Sequence, residues 1–237
     1  MAKVVILSGA GISAESGIST FRDSGGLWEE YDISVVCNYD SLEKNEDITI
    51  EFYDKRRAEI EDKVPNYAHR VIKELKDKYP DEIAVITQNV DNLFEKAGMS
   101  AEDVIHLHGF MPTVRCRDEN CAKVYDIGYK ALSTFNDGKC PECGTSLRPN
   151  IVFFGEAAPV YERLSKEISD CEFFVVIGTS GNVIEVNSTA AFCNYAILNN
   201  LEASSAIAER DFDKVIYDKA SNAIDIIAED IENYLSN

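Results

Sequence analysis

The chain begins with an apolar run that leads directly into a glycine-rich turn. The run ends at Leu7, and Gly9, Gly11 and Ala14 follow it in the pattern G-x-G-x-x-A. In this pattern the first glycine makes the turn after a buried strand, the second lets the backbone approach a phosphate, and the small third residue permits close helix packing. The sequence therefore predicts a strand, a tight turn and a helix whose first amide groups face a dinucleotide phosphate.

Composition restricts the class of protein and of partner. The 237 residues are 45% apolar, which is enough for one core, and 42 acidic residues against 23 basic ones give a net charge of -19. Phosphate binding depends on Lys and Arg, so this charge disfavours nucleic acid as a partner. No basic segment precedes the first apolar run, and no apolar stretch approaches the ~20 residues that a membrane span needs. We therefore expect a cytoplasmic protein with no membrane partner.

Apolar runs typical of buried parallel strands alternate with helical patterns along the chain. The predicted strands after the first are Glu82 to Thr87, Val104 to Leu107, Phe173 to Gly178 and Lys214 to Tyr217, and a closing amphipathic helix is predicted from Ser221 to Leu235. This alternation predicts an α/β fold with a Rossmann-like, doubly wound parallel sheet.

Two stretches interrupt the alternation and read as insertions into one domain that spans 1–237. The first is acidic and helical (30–66), and the second contains four cysteines (110–150). The core is then formed by 1–29, 67–109 and 151–237.

Four of the seven cysteines form two close pairs. Cys116 and Cys121 are followed at a modest distance by Cys140 and Cys143, which is the spacing of a zinc ribbon with four thiolate ligands. Because four protein ligands leave no open position, the metal would be one structural zinc ion. The alternative is two chance pairs of buried thiols. The remaining cysteines (Cys37, Cys171 and Cys193) have no partners by spacing and are predicted to be small core or surface residues.

Polar side chains follow the strand that ends at Thr87. Gln88, Asn89 and Asp91 lie at its carboxyl end, where open α/β sheets bind ligands. The same residues could simply cap a helix from Asp91 to Ala97.

Two of the three histidines, His106 and His108, stand on a predicted strand just before Gly109. Alternation along a strand places both imidazoles on one face, and histidine accepts a proton near neutral pH. Either could instead join the metal site or be hydrogen-bonded near the surface, but four thiolates already satisfy zinc. His69 is predicted on a helix surface.

Tyr53 and Arg56 are three residues apart in a predicted helix. On one helix face, a phenol and a guanidinium could converge on a single carboxylate. The alternative is a solvated, charged face.

Together these blocks resemble the sirtuins, NAD-dependent protein-lysine deacylases. The resemblance rests on three motifs, Gly9 to Ile18, Thr87 to Leu93 and His108-Gly109, and it extends to about Ala220. It implies that NAD is a consumed co-substrate. The implied NAD-binding residues are Gly9, Ala10, Gly11, Ser13, Ala14, Thr20, Phe21, Arg22, Gln88, Asn89, Asp91, Gly178, Thr179, Ser180, Asn200, Leu201 and Ala220.

The resemblance also implies a mechanism. Nicotinamide departs, the acyl oxygen captures the ribose, and His108 acts as the general base on a ribose hydroxyl, with Asn89 and Asp91 as its catalytic partners. The products are free lysine and O-acyl-ADP-ribose.

The segment Arg148 to Glu156 is similar to the strip with which sirtuins pair an extended acyl-lysine peptide or protein. It contains the implied substrate-binding residues Phe153, Phe154 and Gly155. Phe52 to Arg57 resembles the class III subgroup, in which the Tyr53 and Arg56 positions read the carboxylate of succinyl and malonyl groups. Acetyl groups are expected to be removed as well.

Several positions depart from the family pattern: Phe94, His106, Phe153, Glu185-Val186 and Asp218. Val36 stands where the subgroup commonly has alanine and is expected to narrow the acyl channel. Two other functions remain open. An NAD hydrolase or ADP-ribosyltransferase would use the same activated ribose, and a catalytically silent module would bind NAD or acyl-lysine only.

Overall fold

The computed structural model describes residues 2–20 and 31–236, and its central element is a parallel sheet. The strands, numbered in chain order, are β1 (Val4–Ser8), β2 (Ile83–Thr87), β3 (Val104–His106), β4 (Gly109–Cys116), β5 (Val124–Asp126), β6 (Leu147–Ile151), β7 (Phe173–Ile177), β8 (Tyr195–Asn200) and β9 (Lys214–Tyr217). Six of them form the parallel sheet in the order β3-β2-β1-β7-β8-β9.

The helices of the described residues are α1 (Gly11–Ala14), α2 (Ile33–Val36), α3 (Tyr39–Leu42), α4 (Glu46–Glu59), α5 (Tyr67–Lys78), α6 (Leu93–Lys96), α7 (Tyr161–Ser169), α8 (Asn187–Phe192) and α9 (Ala220–Leu235). Alternate residues of β1 face opposite sides of the sheet. Val4 and Ile6 pack with α5 and α9, and Val5 and Leu7 pack with α7 and α8. Because helices cover both faces, every residue of β1 is buried and the strand reads as an unbroken apolar run.

The strand order reverses between β1 and β7, so the two neighbouring loops leave the sheet in opposite directions. The carboxyl ends of these strands lie side by side, with Ser8 paired to Ile177. A crevice opens at such a point, and open α/β sheets bind their ligands there.

The two insertions form a second lobe. The four clustered cysteines lie at the end of β4 and in the connections of the antiparallel sheet β5-β4-β6, and α4 packs against β4 and β6. The guanidinium of Arg57, fully buried, donates to the carbonyl of Met111 (2.9 Å) and pairs with Asp54. The Asp54 carboxylate also accepts the backbone amide of Leu132 (3.0 Å). The helical insertion and the cysteine-bearing insertion are thus joined by a buried ion pair.

The predicted doubly wound fold is confirmed, and the predicted strands lie within one residue of their positions. The strand β8 was not predicted, because its apolar stretch is confined to Ala196, Ile197 and Leu198 between polar residues. The helix expected from Asp91 to Ala97 is shorter, Leu93–Lys96. Within the described residues, no helix combines the length and the apolar character that crossing a bilayer requires.

The prediction for His69 is wrong. It lies on the face of α5 that packs against the sheet, its side chain is fully buried, and its ring contacts that of Phe94 with centroids 4.9 Å apart.

Candidate active site

A cavity of about 710 Å³ lies at the carboxyl ends of the strands and extends towards the second lobe. It brings together most of the residues that the sequence singled out: Gly9, Ala10, Gly11, Ser13, Ala14, Thr20, Tyr53, Arg56, Gln88, Asn89, Asp91, His108, Phe153, Phe154, Gly155, Gly178, Thr179, Ser180, Asn200 and Leu201. Ala220 lines a smaller adjoining cavity together with Asp218. Phe21 and Arg22 lie outside the described residues.

The glycines of the first turn are required by the contact between two loops. A Cβ atom on Gly9 would lie 2.7 Å from the carbonyl oxygen of Gly178, and one on Gly11 would lie 2.6 Å from its Cα atom. Gly178 has a φ of +65°, which favours glycine. The turn after β1 and the turn after β7 therefore touch through bare backbone, which adds a packing reason for glycine to the expected approach of a phosphate. The following helix α1 is a single turn.

A buried network fixes the polar residues after β2. The Ser13 hydroxyl donates to the Asp91 carboxylate (2.9 Å), and the Asn89 side-chain amide donates to Ser13 Oγ (3.0 Å). The Gln88 amide donates to Thr179 Oγ1 (3.0 Å) across the crevice. These side chains are therefore held in place by the chain itself, which is the condition for an organised site.

Asp91 caps a helix, which is one of the two interpretations, and it also lines the cavity. Asp91 Oδ1 accepts the amide of Leu93 (3.1 Å) at the start of α6, while Oδ2 accepts the hydroxyl of Ser13. Burial raises the pKa of Asp91, and the hydrogen bonds from Leu93 and Ser13 oppose that rise.

His108 lines the cavity, and its two ring nitrogens have different partners. Nδ1 lies 2.8 Å from the carbonyl oxygen of Gln88, and Nε2 lies 3.0 Å from the hydroxyl of Tyr161. Because a carbonyl oxygen only accepts, Nδ1 carries the hydrogen of the neutral ring. Burial lowers the pKa of His108, and the Gln88 carbonyl opposes this in part. The ring is thus held neutral, with Nε2 as a proton acceptor.

His106 has a different environment and does not line the cavity. The strand β3 ends at this residue, and its ring lies between the carbonyl oxygen of Asn89 and the Glu95 carboxylate, both at 2.9 Å. Burial disfavours its charge, but Glu95, Asn89 and Asp91 outweigh burial and raise the pKa of His106. The two imidazoles therefore contact neighbouring carbonyl groups of one loop, but only His108 reaches the cavity.

Tyr53 and Arg56 are buried and line the cavity, so the alternative of a solvated helix face is excluded. The Tyr53 hydroxyl donates to Cys37 Sγ (3.5 Å), and Arg56 pairs with Glu59 (3.0 Å). Burial raises the pKa of Tyr53 well above its usual value, which keeps the phenol neutral.

The expectation that Val36 narrows an acyl channel is wrong. Its side chain is fully buried in the core of the helical insertion, with Phe52 and Leu42. The next residue, Cys37, lines the cavity instead.

The segment Arg148 to Glu156 is divided between two roles. Its first part belongs to β6, which pairs with β4. Phe153 is buried and packs edge-on against Tyr53 with ring centroids 5.6 Å apart, whereas Phe154 is half exposed. The Phe154 amide already donates to the Cys37 carbonyl (2.8 Å), so a bound peptide would have to pair with other backbone groups of this segment.

The four clustered cysteines fit one metal ion. The sulfur atoms of Cys116, Cys121, Cys140 and Cys143 all lie within 4.8 Å of one another, and two pairs are 3.4 and 3.7 Å apart. A tetrahedral Zn²⁺ ion with four thiolates requires sulfur atoms about 3.8 Å apart. Neither His106 nor His108 belongs to this cluster. The donor set is therefore that of a closed, structural zinc site, separate from the cavity.

The sequence did not indicate that Tyr161 and Cys37 line the cavity, or that Glu59 pairs with Arg56 there. Tyr161 is 53 positions from the imidazole that it contacts, and no local pattern marks it. A pairing of α4 residues such as Arg56 with Glu59, three apart, is visible in the sequence, but a solvated pair has the same spacing.

Comparison with known proteins agrees with this geometry. A Sir2 family model matches residues 9–185. The NAD-dependent protein deacylase of Campylobacter jejuni (strain RM1221) is 46% identical over 236 residues, which cover 99% of this chain and 98% of that protein.

Solved structures agree as well. The structure of a Sir2 homologue in complex with NAD has a TM-score of 0.82 and 32% identity, and the match covers 98% of this chain and 90% of that one. A Sir2 structure with a deacetylated p53 peptide and 3′-O-acetyl-ADP-ribose has a TM-score of 0.75 and 28% identity, with 96% and 92% covered. On its sequence and on its fold, this chain belongs to the Sir2 family.

Proposed function

We propose that this protein is an NAD-dependent protein-lysine deacylase that removes succinyl and malonyl groups as well as acetyl groups. It would consume NAD and release nicotinamide, free lysine and O-acyl-ADP-ribose. Membership of the Sir2 family and the deacylase relative support the coarser part of this proposal. The proposed removal of acidic acyl groups is supported by Tyr53 and Arg56 on α4.

The observation that carries the proposal is that one cavity is lined by two kinds of residues. Its dinucleotide side has the glycine turn, Thr179 and Asn200, and its acyl side has Tyr53 and Arg56. A dinucleotide and an acylated lysine could therefore meet within one cavity, which group transfer between them requires.

The residues around the cavity have matched tasks. The network of Ser13, Asn89 and Asp91 holds its polar groups in place before a ligand arrives, which reduces the reorganisation of these three side chains on binding. NAD, when bound, supplies the electrophilic ribose carbon. His108 has an unprotonated Nε2 atom that can take up the proton of a ribose hydroxyl, because its Nδ1 hydrogen is directed to Gln88.

The acyl side combines one cation with apolar walls. The Arg56 guanidinium and the Tyr53 hydroxyl lie in a cluster with Phe52 and Phe153. A succinyl carboxylate brought into such surroundings needs a charged partner, and a guanidinium supplies a planar pair of donors. Glu59 already neutralises part of the Arg56 charge, so an entering carboxylate would share the guanidinium with Glu59.

Substitution of Arg56 by Met tests the acyl preference. Met keeps the length of the apolar stem and removes the charge, so we expect kcat/KM for a succinylated peptide to fall about 10- to 100-fold, the value of one charged hydrogen bond. For the acetylated form of the same peptide, kcat/KM should change less than about threefold, since an acetyl group has no carboxylate. Arg210→Met, at an exposed position, is the matched control and should affect neither substrate. Equal losses on both substrates would contradict a role of Arg56 in reading the carboxylate.

A further inference from the structure

We infer that Tyr161 lies between His108 and the ribose hydroxyl: its own hydroxyl holds the Nε2 atom of the imidazole in the cavity in both protonation states of the ring and relays the ribose proton to it. The inference rests on the proposed function, in which His108 accepts a proton from a ribose hydroxyl.

The direction of the hydrogen bond between the two residues follows from the other side of the ring. Nδ1 lies 2.8 Å from the carbonyl oxygen of Gln88 and must donate to it. In the neutral imidazole Nε2 therefore has no hydrogen and accepts one. The partner at 3.0 Å is the Tyr161 hydroxyl, which donates. The base nitrogen is thus kept satisfied and aligned before the substrate arrives.

A phenol also fits the ring after protonation. Nε2 has a single lone pair, which the Tyr161 hydrogen occupies, so the proton moves in two linked transfers: Tyr161 passes its hydrogen to Nε2, and the ribose hydroxyl passes its own to the Tyr161 oxygen. The electron pair of the broken ribose O–H bond remains on the ribose oxygen, which bonds to the acyl carbon. Nε2 then carries the hydrogen and donates it to the Tyr161 oxygen, whose new hydrogen points away from the ring. Tyr161 neither gains nor loses a proton overall. Burial raises the pKa of Tyr161, so the group stays a neutral phenol that can both donate and accept.

The position of Tyr161 is fixed by the fold. It is the first residue of α7, and its amide donates to the carbonyl of Ala158 (3.0 Å). Leu164, one turn later, packs into the core on one face of the sheet. The hydroxyl therefore comes from an anchored helix, and it lines the same cavity as His108.

Substitution of Tyr161 by Phe removes this hydroxyl alone. Tyr234→Phe is the matched control, because the Tyr234 hydroxyl donates to Glu172 (2.9 Å) beside the amino end of β7. The cavity lies at the other end of the strands, their carboxyl ends. Three quantities are measured: kcat for deacylation of an acylated peptide, the rate of nicotinamide exchange into NAD, and the pKa of His108 by NMR in the free protein. With three histidines in the chain, the resonances are assigned with single-histidine variants.

For Tyr161→Phe we expect kcat for deacylation to fall roughly tenfold, a fraction of what a general base contributes. Nicotinamide exchange should change less than about twofold, since it precedes the proton transfer to the base. The pKa of His108 should be lower by about 0.5 to 1, because the imidazolium loses its acceptor at Nε2 and charged hydrogen bonds are the stronger ones. Tyr234→Phe should leave all three quantities at wild-type values.

A Tyr161→Phe variant with an unchanged kcat and an unchanged His108 pKa would overturn the inference. Equal losses of deacylation and exchange would overturn it too, because they indicate a general structural role. A His108→Ala variant that still deacylates at the wild-type rate would overturn the proposed base itself. The His108 pKa in Tyr161→Phe would then still report whether the contact exists.

Discussion

The buried imidazole of His69 makes the free energy of unfolding depend on pH. Both of its ring nitrogens are buried without a hydrogen-bond partner, and its ring packs on Phe94. Burial lowers the pKa of His69 to about 3, so the folded protein keeps this ring neutral. The unfolded chain binds a proton there below about pH 6.5. Stability contributed by the neutral ring is therefore present above about pH 6.5 and is lost as the pH falls towards 3.

We predict that His69→Leu weakens the acid sensitivity of the protein. Between pH 7.5 and pH 5, the wild type should lose about 2 kcal/mol more unfolding free energy than the variant does. Denaturant titration at the two pH values measures this difference, and carboxylates common to both proteins cancel from it. Identical pH dependence of the two proteins would show that His69 does not titrate as its burial indicates.

His106 should behave in the opposite sense. Its pKa is raised in the folded state, so the stability that its pair with Glu95 contributes is present below about pH 6.5 and is lost as the pH rises through the raised value. The two histidines thus contribute opposite pH dependences within one domain, although neither lines the cavity.

At the scale of elements, the cysteine-bearing insertion has a small core of its own. Val114, Leu132 and Leu147 are buried there beside Cys116 and Cys140. So few apolar side chains cannot hold three short strands without further support, and the four thiolates are placed to supply it through a metal ion. Arg57 and Asp54 then attach this unit to α4.

We predict that removal of the metal loosens this insertion first. Cys143→Ser, or treatment with a strong chelator, should lower the Tm and make residues 110–150 exchange amide hydrogens and undergo cleavage faster than the parallel sheet does. Cys193→Ser is the control, because this partly buried cysteine lies outside the cluster. An unchanged Tm after verified loss of zinc would contradict a structural role of the metal.

Features built from neighbouring residues could be predicted from the sequence, and features built from distant residues could not. The glycine turn, the polar loop after β2 and the cysteine pairs are local patterns, since each function is built from neighbours in sequence, and all three lie where predicted. The strand β8 has too short an apolar run to be recognised. Contacts such as Tyr161 with His108, or Tyr53 with Cys37, join separate segments of the chain, so they depend on how the helices and loops pack together. The burial of His69 depends on which face of α5 packs against the rest of the protein. Charged residues close to His69 in the sequence made that face difficult to predict.

In the complete fold, the parallel sheet and the second lobe both contribute residues to one cavity. The two halves of that cavity suit different ligands: the glycine turn suits a dinucleotide, and the side chains of α4 suit an acyl chain. Because both halves and His108 line one cavity, the proposed deacylase would hold the two ligands side by side for transfer of the acyl group. This transfer separates a deacylase from an NAD hydrolase or a silent binding module.

The most direct test of this claim is a mass-spectrometric count of products from the zinc-loaded protein, NAD and a succinylated lysine peptide. We predict equal amounts of nicotinamide, free-lysine peptide and O-succinyl-ADP-ribose, and no nicotinamide release when the peptide is left out. Nicotinamide and ADP-ribose formed without any loss of the succinyl group from the peptide would contradict the account.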